Sequence, residues 1–257
     1  MKRFYLGTHE PSWLSRTTLP LFVSRRRLQR LRSLPRAAGR WALDSGGFTE
    51  LAMHGRWRLA AADYASLVDR YSAEVGGLDF AAPQDWMCEP FMVAKTGLSI
   101  REHQERTVQN YLDLTSLAPG LPWIPVLQGW EVADYVRCAA LYAQAGVDLA
   151  AVPLIGLGSV CRRQHTAQIA HLVSTMSPLP LHGFGVKTDG LAAYGYLLQS
   201  ADSMAWSFRA RRSEPLPGCT HRSCANCFRY ATGWAETVTA GLNQPVQASL
   251  FDREVAA

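Results

Sequence analysis

Short runs of apolar and β-branched residues recur along the chain, each followed by a stretch whose apolar positions repeat at the helical period. The runs extend from Arg3 to His9, Pro20 to Ser24, Arg40 to Asp44, Gly77 to Ala81, Trp123 to Gln128, Leu149 to Ile155, Leu179 to Phe184 and Gln199 to Asp202. They predict about eight strands. Amphipathic stretches from Ala60 to Glu74, Ser99 to Thr115, Val132 to Ala145, Arg163 to Met176 and Gly190 to Gln199 predict helices between them. Regular alternation of strand and helix implies parallel pairing, and about eight such units fill a (β/α)8 TIM-type barrel. An open doubly wound α/β sheet is the alternative. It is disfavoured because no dinucleotide-type glycine fingerprint follows the first strand.

After Arg212 the alternation stops. A Pro-rich segment from Ser213 to Gly218 leads into Cys219-Thr-His221-Arg-Ser-Cys224-Ala-Asn-Cys227, and a terminal helix follows from about Cys227 to Gly241. We therefore expect a catalytic barrel over residues 1–212 and a zinc-binding subdomain over residues 213–257. The Cys-x-x-Cys pair lets two thiolates reach one tetrahedral ion from a tight turn, and Cys219 and His221 complete four ligands. A closed four-ligand site is chemically inert, so the expected role of the zinc is structural. Cys88, Cys138 and Cys161 are scattered and read as thiols without chemistry.

Charge changes the picture. Of 26 basic residues all but Lys2, Lys95 and Lys187 are arginine, and the formal charge is +5. The guanidinium fork suits phosphate. Seven arginines, from Arg25, Arg26 and Arg27 through Arg30, Arg32 and Arg36 to Arg40, crowd one stretch. They are expected to hold a nucleic-acid backbone, Arg25, Arg26 and Arg27 foremost, while a solvated helix face is the plain alternative. The 48% hydrophobic and 18% charged composition is that of a folded globular protein. No apolar run reaches membrane-span length and the Met1-Lys2-Arg3 start lacks a signal peptide's apolar core, so a cytoplasmic protein without membrane contact is expected.

In a barrel the active site forms at the C-terminal ends of the strands. His9, Asp44, Asp85, Gln128 and Asp202 lie at or just past such ends, beside Gly156, Gly158, Gly183 and Gly185. Asp44 and Asp202 supply the two carboxylates that substitution at a sugar carbon requires, one attacking C1′ and the other moving a proton. The pattern does not say which does which, nor whether the sugar belongs to a polysaccharide or a nucleoside.

Asp44-Ser-Gly-Gly-Phe48 resembles the Asp-Ser-Gly-Gly-aromatic motif of the tRNA-guanine transglycosylases, and Val126-Leu-Gln-Gly129 their Val-Gln-Gly segment. Ile155-Gly-Leu-Gly158 is similar to the family's Gly-Gly-Leu loop, Leu181-His-Gly-Phe-Gly185 to its Met-Gly-Val-Gly loop, and Asp202-Ser-Met-Ala-Trp206 to its nucleophile segment. The motifs run in family order over roughly residues 40 to 230. The short chain, the respaced zinc ligands and the want of a separate RNA-binding domain look more like the deazapurine-in-DNA (DpdA-like) branch.

The resemblance implies an enzyme that exchanges guanine in DNA for a free 7-deazaguanine base through a covalent glycosyl-aspartate, in a bacterial or phage-infected cell. The exchange needs no redox or nucleotide cofactor. By the same resemblance Asp202 is the nucleophile and Asp44 the general acid/base. Phe48 and His182 sandwich the base, while Asp85, Gln128, Gly156, Leu157 and Gly183 line its edge. An accessory protein that opens the DNA is a further expected partner. The alternatives are the same exchange on tRNA, a barrel glycosidase, or a non-catalytic zinc-bearing nucleic-acid-binding protein.

Overall fold

The computed structural model describes residues 1–161, 163, 167–186 and 188–242. Its strands are β1 (Arg3–Thr8), β2 (Leu21–Ser24), β3 (Trp41–Asp44), β4 (Leu78–Ala81), β5 (Val126–Leu127), β6 (Ile155–Leu157), β7 (Leu181–Gly183) and β8 (Ser200–Ser203). Its helices are α1 (Arg25–Leu28), α2 (Gly47–His54), α3 (Ala61–Val75), α4 (Pro90–Thr96), α5 (Ile100–Leu117), α6 (Val132–Gln144), α7 (Ala167–Thr175), α8 (Thr188–Tyr194), α9 (Ala205–Ala210) and α10 (Phe228–Leu242). Among the described residues no helix is long and apolar enough to cross a membrane.

All eight strands join one curled parallel sheet in the order β4-β3-β2-β1-β8-β7-β6-β5. The two ends of that order are linked by a parallel bridge from Ala81 to Trp123. There the Ala81 N–H donates to the Pro122 carbonyl at 3.0 Å and the Ile124 N–H to the Ala81 carbonyl at 3.3 Å. The sixth strand begins where its predicted run ends. Residues 149–151 form a turn and 152–153 bend, Pro153 being unable to donate to a ladder, and β6 takes up Ile155, Gly156 and Leu157.

Period-two alternation gives each strand two different faces. Trp41 and Leu43 of β3 point outward into the main core with Tyr64, Val68, Tyr71 and Val75 of α3. Ala42 faces inward with Tyr5, Phe80 and Ile124, against which Phe22 and Phe184 also pack. The same alternation carries Asp44, two residues beyond Ala42, to the inner side at the strand's C-terminal end.

Helix starts are set locally. Ser99 accepts from the Glu102 N–H while Glu102 accepts from the Ser99 N–H, a capping box that begins α5. The terminal helix shares the main core: Trp234 of α10 meets Phe4 of β1 at 5.8 Å between ring centroids, and Phe228 meets Trp13 at 5.1 Å.

Candidate active site

Asp44 closes β3 and Asp202 lies in β8, and both line one cavity of about 440 Å³. Gly7, Phe22, Ser24, Met204 and His9 complete its walls, and Arg26, Arg27 and Arg30 stand over it. Close backbone approach makes this floor: a Cβ on Gly7 would lie 2.4 Å from the Met204 side chain and 2.9 Å from the Ser203 carbonyl oxygen.

The two aspartates are held differently. Asp44 accepts from the Gly46 N–H at 2.9 Å and from the Ser24 hydroxyl. Burial raises its pKa against those two bonds, and the nearby Asp202 charge adds to the rise. Asp202 accepts from the Gly185 N–H at 3.0 Å, in a loop where Gly185 takes φ +67°. His182 Nε2 lies 3.4 Å from Asp202 Oδ1 without hydrogen-bonding it. The other ring nitrogen, Nδ1, meets the Ser200 hydroxyl at 2.8 Å.

His182 is fully buried, boxed by the rings of Phe184 at 4.8 Å, Phe80 at 4.9 Å, Phe22 at 5.8 Å and Tyr5 at 5.9 Å. Phe48 is 40% exposed at the start of α2 and packs on Phe91, 5.8 Å between centroids. These contacts do not set the expected pair as two faces of one slot, because inward alternation on β7 sinks His182 into the aromatic interior.

Asp85 and Gln128 are brought together, and Leu157 pairs with Gly183 across β6 and β7, but none of these residues or Gly156 lines the cavity: all are buried, Gln128 completely. Gln128 donates to Asp85 Oδ2 at 2.6 Å, and Ser45 donates to Asp85 Oδ1 at a long 3.4 Å. Burial drives the Asp85 carboxyl up to about 7, with the Asp44 and Glu89 charges adding and the Gln128 bond opposing. Gly156 and Gly158 have no room for a side chain, since a Cβ would meet Phe184 at 2.5 Å and Gln128 at 2.3 Å respectively.

The arginine expectation needs correction. Arg25 is only 4% exposed, donating to the Ser45 carbonyl at 2.9 Å and the Gln29 side chain at 2.7 Å, and lying 3.5 Å from buried Glu50. It braces the loop after Asp44 instead of reaching for phosphate. Arg36 caps carbonyls at the end of α3, and Arg40 pairs with Asp79 at the opposite end of the sheet. The cluster in sequence is therefore not one surface, because the chain crosses the whole sheet between α1 and β3.

Cys219, His221, Cys224 and Cys227 converge with all ligand atoms within 4.8 Å of one another, so the group could hold a metal ion. The Sγ separations of 3.9 Å (Cys219–Cys224) and 4.0 Å (Cys219–Cys227) approach the edge of about 3.8 Å that a tetrahedron with typical zinc–sulfur bonds requires. Burial opposes ionisation of Cys227, yet backbone N–H groups at the start of α10 and the neighbouring thiols hold its pKa below the ordinary thiol value. Ser207 of α9 donates to the Ala225 carbonyl at 2.8 Å, tying this knuckle to the helix that follows β8.

The family described as DpdA, deoxypurine in DNA protein A, matches residues 1–255. The chain belongs to the DpdA family. No curated protein matches it. With family membership in hand, the residues of this DpdA chain that sequence reading passed over stand out. Ser24 holds Asp44 as Gly185, already marked in the sequence, holds Asp202, Glu50 anchors Arg25, and Ser159 and Glu89 extend the Asp85–Gln128 pair. Glu89 follows Asp85 by four residues and Ser159 directly follows Gly158, but neither spacing signals contact across a sheet.

Proposed function

We propose that this chain removes guanine from DNA and installs a 7-deazaguanine in its place, through a covalent glycosyl-aspartate on Asp202. The observation that carries the reading is the shared cavity, which joins two carboxylates at strand ends to Arg26, Arg27 and Arg30. Membership in a family named for deoxypurine in DNA supports a DNA substrate.

In this reading Arg26, Arg27 and Arg30 hold the phosphates of a nucleotide turned out of its stack. An Asp202 carboxylate oxygen bonds to C1′ as the C1′–N9 bond breaks, and its electron pair leaves with guanine, which takes a proton from Asp44. The raised pKa of Asp44 suits a group that must arrive protonated. The incoming deazaguanine returns a proton to Asp44, its N9 bonds to C1′, and Asp202 is released. One glycosidic bond replaces another, so no ATP is needed. Asp85, Gln128, Gly156, Leu157 and Gly183 bind the base edge once the pocket opens inward from the cavity. Phe48 offers a stacking face, and His182 supports Asp202 from below.

The sheet is read as a closed (β/α)8 barrel whose β4–β5 seam is the Ala81–Trp123 bridge, with residues 213–257 as a subdomain stapled by structural zinc. Metal analysis of purified protein should find about one zinc per chain, by the stoichiometry of a four-ligand site; below about a tenth of that, the assignment is wrong. The protein is placed in the cytoplasm, with DNA and the free deazaguanine as its partners and a DNA-opening protein as an accessory.

Mass spectrometry of nucleosides from cells expressing the chain with a deazaguanine supply tests the function. Modified deoxynucleosides in DNA are expected. Modified ribonucleosides in tRNA alone would overturn the reading in favour of a tRNA substrate.

A further inference from the structure

Four side chains that do not line the cavity are joined by successive hydrogen-bond contacts: Asp85, Gln128, Ser159 and Glu89. The Gln128 amide lies 2.6 Å from Asp85 Oδ2, and its other end lies 2.7 Å from the Ser159 hydroxyl, which lies 2.9 Å from Glu89 Oε2. All four are buried, the most open being Asp85 at 8%. Ser159 is held in the left-handed region, φ 56°, which aims its hydroxyl between the two partners. Its oxygen also accepts the Cys88 N–H at 2.8 Å.

Three oxygen or nitrogen contacts this short each need a hydrogen between the atoms. The Gln128 amide can fill one of its two contacts, since only one end bears N–H, and the Ser159 hydroxyl carries a single hydrogen. Two hydrogens cannot fill three contacts. The neighbouring hydroxyls are already spent: Tyr135 donates to the Gly158 carbonyl, Tyr64 to the Ala82 carbonyl and Tyr142 to the Val126 carbonyl. We propose that Asp85 and Glu89 share one proton across Gln128 and Ser159, and that its position sets which way the Gln128 amide faces.

Two arrangements satisfy these three contacts with the same hydrogens. In the first the proton sits on Glu89, which donates to Ser159. Ser159 then donates to the Gln128 carbonyl, and the Gln128 amide N–H to an anionic Asp85. In the second the proton sits on Asp85, which donates to a turned-over Gln128 carbonyl, while the Gln128 N–H donates to Ser159 and Ser159 to an anionic Glu89. The two amide orientations have the same shape. The deep burial that lifts Asp85 to about 7 makes both reachable near neutral pH.

The consequence rests on the function proposed above. Guanine and 7-deazaguanine both present N–H donors on their pairing edge, so the first arrangement, with Asp85 an anionic acceptor, receives them more strongly than the second. Glu89 and Ser159 are thus positioning residues for base recognition, parking a proton away from the base.

Infrared difference spectroscopy on the full chain reads the proton without any activity measurement. At about pH 7, where an ordinary carboxylate is ionised and the Asp85 carboxyl is still partly protonated, a protonated-carboxyl band is expected in Asp44→Asn, the background that removes that residue's own raised carboxyl and carries the further variants. It should vanish in Asp85→Asn and equally in Glu89→Gln, because either new amide supplies the third hydrogen. Ser159→Ala, which keeps both carboxyls but removes the hydroxyl between them, should shift the band's frequency, which keeps the test decisive if one variant fails to fold. A wild type lacking the band, or a band that survives in Glu89→Gln or is unmoved in Ser159→Ala, overturns the proposal whatever the substrate proves to be. Guanine binding provides the functional arm. Glu89→Gln should keep affinity within about threefold and Ser159→Ala should lose about tenfold, the order of one hydrogen bond; the reverse ranking would also overturn it. If the bands behave as expected but no purine binds, the shared proton stands and the proposed base exchange fails.

Discussion

The two ends of the sheet both gather carboxylates and arginines, and they use them in opposite ways. At the N-terminal end, Asp79 lies 2.5 Å from both Arg3 and Arg40 and accepts the Tyr5 hydroxyl at 2.8 Å. These three charges are paired with one another. At the C-terminal end, Asp44 and Asp202 are held by backbone N–H groups and a serine hydroxyl, and among the described residues no arginine hydrogen-bonds either one. Arg25, which could have done so, is turned aside to Ser45, Gln29 and Glu50. A paired carboxylate is spent on holding the fold. One left with neutral donors in a buried place keeps its charge and its proton available for chemistry.

The sharpest way to break this comparison is to replace one carboxylate at each end. Asp202→Asn keeps size and hydrogen bonding but removes the proposed nucleophile, so base exchange should fall by about a thousandfold or more while DNA affinity holds. Exchange kinetics and a binding titration on the same samples check it. An Asp202→Asn protein that exchanges guanine at the wild-type rate would shift attention to Asp85.

Next in size is a stability effect at the C-terminal end. The folded protein keeps the Asp85 proton up to about 7, against 3.8 for an ordinary aspartate. Its contribution to stability is therefore complete below the lower value and is lost as pH rises through the upper one. Asp85→Asn should remove that decline and leave the protein on the order of 3 kcal/mol more stable than wild type at about pH 8. Urea denaturation at acid and alkaline pH measures it, and an unchanged difference between the two would contradict the assignment.

At the opposite end, Asp79→Asn should lower stability by about 1–2 kcal/mol, since both arginines there are largely solvated. Exchange should stay within about threefold of wild type. The smallest effect belongs to the proposed phosphate contacts. Replacing Arg26, Arg27 or Arg30 by Gln should weaken DNA binding uniformly across sequences and flatten its salt dependence by roughly one unit each. Arg40→Gln, far from the cavity, should leave both unchanged.

How much of this was legible follows from what kind of signal each feature leaves. Asp44 and Asp202 could be found because a strand that ends in a carboxylate announces itself within five residues. The knuckle could be found because its ligands are neighbours in sequence. The long helices were legible by period, whereas α2, α4 and α9, of eight, seven and six residues, are too short for a period to register. Arg25 misled because composition records charge and not direction: its side chain turns inward to a glutamate 25 positions away. The Ser159–Glu89 link spans 70 positions and depends on a left-handed serine, which no local pattern encodes.

The central claim is that Asp202 carries the sugar. Wild-type protein should be mixed with guanine-containing DNA without any incoming base, then denatured and examined by intact mass spectrometry. The account predicts a protein–DNA adduct lacking guanine, mapped to Asp202, absent in Asp202→Asn and discharged when a 7-deazaguanine is added. An adduct of the same mass in Asp202→Asn, or one mapped to another residue, would contradict it.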